Sequence, residues 1–171
     1  VALEDAPRIE VEFTAIDSAS CFDGADGRAT ANAMYDNGES GVFNFEWSSQ
    51  TTSMNTVMST AIDLSGGTNF VIVTEANGAC RDSFAVEIPS PAPISALASI
   101  DPVSCFGGSD GAAEVTPDGG TRPYNFFWQV NGSRTNTVSG LGAGTYDVLI
   151  TDDNDCTFTQ SVNIGQPDSL V

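Results

Sequence analysis

The chain is written twice over. Ile16-Asp17-Ser18-Ala19-Ser20-Cys21-Phe22-Asp23-Gly24-Ala25-Asp26-Gly27 lies over Ile100-Asp101-Pro102-Val103-Ser104-Cys105-Phe106-Gly107-Gly108-Ser109-Asp110-Gly111. Phe43-Asn44-Phe45-Glu46-Trp47 lies over Tyr124-Asn125-Phe126-Phe127-Trp128, and Leu64 to Val71 over Leu141 to Val148. Cys80 then matches Cys156, and Ile88 matches Ile164. The offset falls from 84 at Ile16/Ile100 to 76 at Cys80/Cys156, so the first copy carries about eight more residues. Most of these lie before Phe43 and between Trp47 and Leu64. Tandem copies constrain the fold strongly, because each must close its own core with the same topology. Pro89-Ser90-Pro91-Ala92-Pro93 separates them, too rich in proline for a central strand, and reads as a short, stiff, extended linker. The domains are therefore residues 1–90 and 91–171. Pro167-Asp168-Ser169-Leu170 resembles the opening of the second copy at Pro91-Ala92-Pro93-Ile94, so 168–171 reads as the start of a further repeat. The chain opens Val1-Ala2-Leu3, without Met, and reads as a mature piece of something longer.

Within each copy apolar residues alternate, as in Ile9-Val11-Phe13, Phe43-Phe45-Trp47 and Tyr146-Val148-Ile150. Period 2 is the pattern of half-buried strands. Turn dipeptides punctuate the runs: Asp23-Gly24, Asp26-Gly27, Asn37-Gly38, Asn77-Gly78, Asp110-Gly111 and Asn131-Gly132. No window of a dozen residues makes an amphipathic helix. The expected fold is all-β, two tandem immunoglobulin-like β-sandwiches. In the second copy strands are expected near 94–101, 111–116, 123–130, 134–140, 145–151 and 157–164, with Trp128 facing the core. Leu141-Gly142-Ala143-Gly144-Thr145-Tyr146 reads as a tyrosine corner, in which a Tyr opening a strand bonds back to upstream backbone. Phe70 is read as its counterpart in the first copy, which would leave that copy without the hydroxyl bond.

Four cysteines, two per copy at matching positions, are read as one disulfide in each sandwich, Cys21–Cys80 and Cys105–Cys156. Loops of this length would contribute about 4 kcal/mol apiece by chain entropy. A zinc site fits poorly, with no Cys-x-x-Cys and no His. Strand parity stays open at this point. Four strands between paired cysteines would put both at one end of the sandwich, but six strands in all return the chain to its starting end. Either a cysteine lies within a strand, or the Trp-to-Leu segment holds a seventh strand.

Charge narrows the function classes. Against 23 Asp and Glu stand five Arg, with no Lys and no His, a net charge of −18. Such a chain is unsuited to nucleic acid and to anionic lipid. Chemistry built on imidazole is excluded outright. No apolar run reaches the ~20 residues of a membrane-spanning helix, so no membrane insertion is expected. The bland role of the charge is to keep a long extracellular chain soluble.

The pattern Ser-Cys-Phe-x-Gly-x-Asp-Gly, then Gly-Gly-x-x-Pro-Tyr-x-Phe-x-Trp, then Leu-x-x-Gly-Thr-Tyr-x-Val-x-Ile-Thr-Asp-x-x-x-Cys resembles the SprB repeat, named for the gliding-motility adhesin of the Bacteroidetes. The second copy carries nearly all of it, from Ser104 to Pro167. The first departs from it: Asn37-Gly38 stands in a longer insert, no Pro precedes Phe43, and Phe70 is read in place of the Tyr. The resemblance implies a secreted, multi-repeat surface protein exported by the type IX route, with no catalytic activity. Its partners would be neighbouring repeats, other copies of itself, and surface polysaccharide or other cells reached through another part of the protein. Asp17-Ser18-Ala19 and Asp168-Ser169-Leu170 also resemble the O-glycan acceptor pattern of Bacteroidetes secreted proteins.

Three functional readings follow. The first is a structural repeat in an adhesin stalk on the outer cell surface. The second is a segment of a self-assembling filament or appendage. The third is a carbohydrate-binding accessory module of a secreted enzyme. No cofactor is expected beyond a structural calcium ion, for which Asp110, Asp152, Asp153 and Asp155 are the candidate ligands. The alternative is that these acids simply favour hairpin turns. Phe127 alternates outward between Phe126 and Trp128, where the first copy has Glu46, and is the candidate partner contact. Carboxylate pairs can serve glycoside hydrolysis, but an 80-residue sandwich without a long loop offers little cleft, and the chain reads as no enzyme.

Overall fold

The computed structural model describes residues 7–169 and contains strands and turns but no helix among them, hence none long and apolar enough to cross a membrane. The chain divides into two compact units, residues 1–90 and 91–171. Positions 170–171 of the suggested further repeat lie outside the described residues.

In the first unit β1 (Ile9–Asp17), β2 (Gly27–Tyr35) and β5 (Met58–Leu64) form one antiparallel sheet in the order β1-β2-β5. The facing sheet runs β4-β3-β6-β7, from β3 (Phe43–Trp47), β4 (Thr52–Thr56), β6 (Gly67–Glu75) and β7 (Arg81–Ile88). The second unit repeats this with β8 (Ser95–Asp101), β9 (Gly111–Asp118) and β11 (Thr137–Leu141) in one sheet, and β10 (Asn125–Trp128), β12 (Gly144–Thr151) and β13 (Thr157–Ile164) in the other. All six strands expected in this unit are found, β10 shorter than its alternation suggested. Both units are immunoglobulin-like sandwiches.

Alternation decides which side chains fill them. On β3, Phe43, Phe45 and Trp47 are buried while Glu46 is exposed, and their neighbours on β6 are Val71 and Val73. The opposing strand β2 offers Ala29, Ala31 and Ala33. Small residues there leave room for the aromatics, so the two layers interdigitate. The second core replaces this with Trp128, Ala113, Val115, Val148 and Ile150. Two of the expected turns open strands instead. A Cβ on Gly27 would stand 2.5 Å from Ile88 Cγ2, and one on Gly111 2.7 Å from Ile164 Cγ2, so each glycine lets the last strand pass closely.

The parity question resolves in favour of the extra strand. β4 occupies the Trp-to-Leu segment, which puts five strands between Cys21 and Cys80 and seven among the described residues of the unit. In the second unit residues 129–136 make the same return without a regular ladder, held by Trp128 N–H to Ser133 O (3.0 Å) and Val115 N–H to Asn136 O (2.9 Å). Each unit therefore has a leading end, where its first strand starts, and a trailing end, where its last strand finishes.

This corrects the disulfide assignment. Cys21 sits at the trailing end, beside the Ala19 N–H to Pro89 O bond (2.9 Å), whereas Cys80 precedes β7 at the leading end. Cys105 likewise sits at the trailing end, near the Val103 N–H to Gly165 O bond (3.0 Å), and Cys156 at the leading end before β13. Eight strand residues separate the two ends, about 26 Å at the strand rise, against the ~7 Å between Cα atoms that a disulfide spans. Neither Cys21–Cys80 nor Cys105–Cys156 is formed. Cys80 and Cys105 are free thiols, and Cys21 and Cys156 are disulfide-bonded.

The corner motif also needs a correction. Tyr146 does bond back, its hydroxyl donating to Gly142 O at 3.1 Å. In the first unit Asn69, rather than Phe70, takes the equivalent position. Its amide donates to Ser65 O at 2.7 Å and Gly67 O at 3.1 Å, while Phe70 points outward, exposed. The corner is kept by a different donor.

Candidate functional site

The loops at the two ends hold most of the chemistry-bearing residues. At the trailing end the two units are built alike. Ser20 N–H donates to Asp26 Oδ1 at 2.9 Å, and Ser104 N–H to Asp110 Oδ1 at 3.1 Å. The Ser104 hydroxyl donates to Asp110 as well. These serine bonds, the hydroxyl first and the backbone N–H next, hold both carboxyl groups below the usual value of 3.8. Inside each loop a tight turn closes, Gly24 N–H to Cys21 O and Gly108 N–H to Cys105 O, both 3.0 Å. Its left-handed residue is Asp23 in one unit and Gly107 in the other (φ +56° and +72°). The turn presents Cys21 with an exposed Phe22, and Cys105 with an exposed Phe106. The sequence already showed this arrangement, as Ser-x5-Asp repeated in both copies, but the serine's role was missed.

At the leading end each unit uses a buried acid. Asp152, 1% exposed, accepts from Thr121 N–H (2.8 Å), Asn154 N–H (2.9 Å) and Cys156 N–H (2.9 Å). Glu75 occupies the corresponding place and accepts from the Tyr35 hydroxyl at 2.9 Å, which raises the phenol's pKa above its ordinary value. In both, the strand end is tied across the loop to the cysteine carbonyl, Glu75 N–H to Cys80 O (2.9 Å) and Asp152 N–H to Cys156 O (3.0 Å).

The calcium candidates are not brought together. Asp110 lies at the trailing end of the second unit and Asp152, Asp153 and Asp155 at its leading end. Asp152 spends its oxygens on backbone N–H groups, and Asp153 and Asp155 are exposed. Among the described residues no three His, Cys, Asp or Glu side chains converge as a metal site would require. Phe127 does face outward, 41% exposed, opposite Leu149 on β12 and with the Arg134 guanidinium 5.8 Å over its ring. Its counterpart Glu46 pairs instead with Arg81 at 3.1 Å. Trp47 and Trp128 are core residues, their indole N–H groups donating to Ser59 Oγ and Thr135 O, both at 3.0 Å. An open groove of about 640 Å³ lies beside Val115, Pro117, Tyr124 and Phe126, and no alternation in the sequence marked it.

Residues 97–133 match the SprB repeat family, a stretch that includes the Cys105 loop, β9 and β10. No curated protein matches the chain. Similar solved structures include the three N-terminal domains of the bacteriophage RB49 highly immunogenic outer capsid protein Hoc, at 15% identity and a TM-score of 0.43. This chain is covered to 94% and that one to 59%. The C-terminal 282-residue fragment of intimin, solved with the intimin-binding domain of its translocated receptor Tir, is 15% identical with a TM-score of 0.37, covering 90% and 64%. The first two domains of DIP-gamma are 13% identical with a TM-score of 0.41, covering 93% and 98%. The chain thus spans under two thirds of the first two.

Proposed function

We propose that this chain is a stretch of an extracellular repeat array of the SprB kind, displayed on the outer cell surface, in which each unit spaces or presents an adhesive part of a larger protein. The observation that carries the reading is topological. Each sandwich starts at one end and finishes at the other, so copies can be added in series without the chain doubling back. The SprB match in the second unit, the disulfide-bonded cysteines and the charge of −18 support the same reading. No catalytic role is assigned. A gliding adhesin exported by the type IX route is the specific form the resemblance favours.

Electron microscopy of the native-length protein, in calcium buffer and again in chelator, tests this. Single beaded threads are expected. Regular bundles or tubes would overturn the stalk reading in favour of a filament, and collapse in chelator alone would assign calcium to the exposed Asp153 and Asp155.

A further inference from the structure

The four cysteines are of two kinds. Cys21 and Cys105 are trailing-end cysteines, each in the Ser-Cys-Phe turn; Cys80 and Cys156 are leading-end cysteines, each just before the last strand. The disulfide-bonded residues, Cys21 and Cys156, comprise one of each kind, and so do the exposed free thiols, Cys105 and Cys80. Neither free thiol can reach the cysteine of its own unit, which lies at the far end of the sandwich. Beside Cys105 the trailing end carries a second feature of a contact surface. Phe106, 59% exposed, and Cys105 line a cavity of about 490 Å³ with Ser104, Pro167, Asp168 and Ser169. Phe22 beside Cys21 is 49% exposed, so the bonded and the free trailing ends present the same Cys-Phe pair.

We propose that Cys105 of one copy of this chain forms a disulfide with Cys80 of a second copy, trailing end to leading end, linking copies head to tail in a covalent series. The use of such a linkage rests on the array reading; its chemistry does not. Bond formation needs an oxidant, and oxidised glutathione serves. One cysteine thiolate attacks a glutathione sulfur and expels a glutathione thiolate, leaving a mixed disulfide. The second cysteine thiolate then attacks the protein sulfur and expels the other glutathione. Two thiols and one oxidised glutathione become one protein disulfide and two reduced glutathiones.

The test uses the 171-residue chain with Cys21 and Cys156 left disulfide-bonded, incubated in an oxidising glutathione mixture and resolved by non-reducing electrophoresis and peptide mass mapping. The expected result is a ladder of dimer, trimer and longer species that collapses on reduction, with Cys105 joined to Cys80 in the linking peptide. Cys105→Ser alone and Cys80→Ser alone stay monomeric. An equal mixture of the two variants stops at the dimer, since each partner retains one complementary thiol. The variants change only exposed side chains, and unchanged melting confirms that they fold. A monomer containing a Cys80–Cys105 bond would overturn the proposal, as would single variants that dimerise as readily as the mixture. Covalent ladders that still give tubes rather than threads would sink the stalk reading and leave the linkage standing.

Discussion

The two units solve one topology with different side chains, and the pattern of difference separates what the fold requires from what it tolerates. The trailing-end loop is nearly the same twice: serine onto aspartate, a tight turn, and a cysteine followed by an exposed phenylalanine. The leading end is not. Asp152 gathers three backbone N–H groups where Glu75 takes one phenol. The return after the core tryptophan is a full strand in one unit, β4, and an irregular segment in the other. The corner is closed by Asn69 in one and Tyr146 in the other. Positions where the chain itself must be tied down persist, and the means of tying them vary.

The comparison can be broken first at the buried acids. Asp152→Ala strands three N–H donors and is expected to cost about 3 kcal/mol in urea unfolding, against about 1 kcal/mol for Glu75→Ala, which strands one hydroxyl. Equal costs would mean that the two loops are held by something else. Next come the tryptophans. Trp128→Phe should cost about 2 kcal/mol, because the Thr135 carbonyl in the irregular 129–136 segment loses its indole donor. Trp47→Phe should cost nearer 1 kcal/mol, since Ser59 keeps its bond to Ser53 (2.9 Å).

The trailing ends should respond to acid alike. Asp26 and Asp110 are held below 3.8 in the folded state, so each stabilises the fold above that pH. The contribution is lost as pH falls through the lowered folded value. Asp26→Asn and Asp110→Asn should each flatten the acid limb of a stability-pH curve, to a similar extent. The smallest effect is on the outer sheet faces. Removing the exposed Glu46–Arg81 pair should cost about 0.5 kcal/mol at low salt and nothing measurable at high salt. Phe127 keeps its packing against Arg134 at either ionic strength, so the second unit's value moves less.

Much of this was legible in advance. Self-matching located both units, and alternation around Phe43-Phe45-Trp47 and Tyr146-Val148-Ile150 placed strands and core. Matching cysteines showed equivalence but not pairing, because pairing depends on strand parity. The strand that decides parity, β4, reads Thr-Ser-Met-Asn-Thr and lies half exposed, with no apolar alternation to announce it. Asn69 carries no aromatic signature of a corner, yet an amide placed four residues after the carbonyl makes the same bond. Asp152 looked like a surface acid in Asp152-Asp153-Asn154-Asp155, and only the fold shows that its neighbours face water while it does not.

The placement of each unit's two cysteines at opposite ends is what directs linkage from copy to copy, and it can be measured directly. With Cys105→Ser and Cys156→Ser removing the second unit's cysteines, and Cys21 kept reduced, spin labels on Cys21 and Cys80 report the length of one sandwich by pulsed electron resonance. The account predicts a narrow distribution centred at about 26 Å or somewhat beyond, allowing for the label arms. A distance within reach of a disulfide, ~7 Å between Cα atoms, would put both cysteines at one end and contradict it.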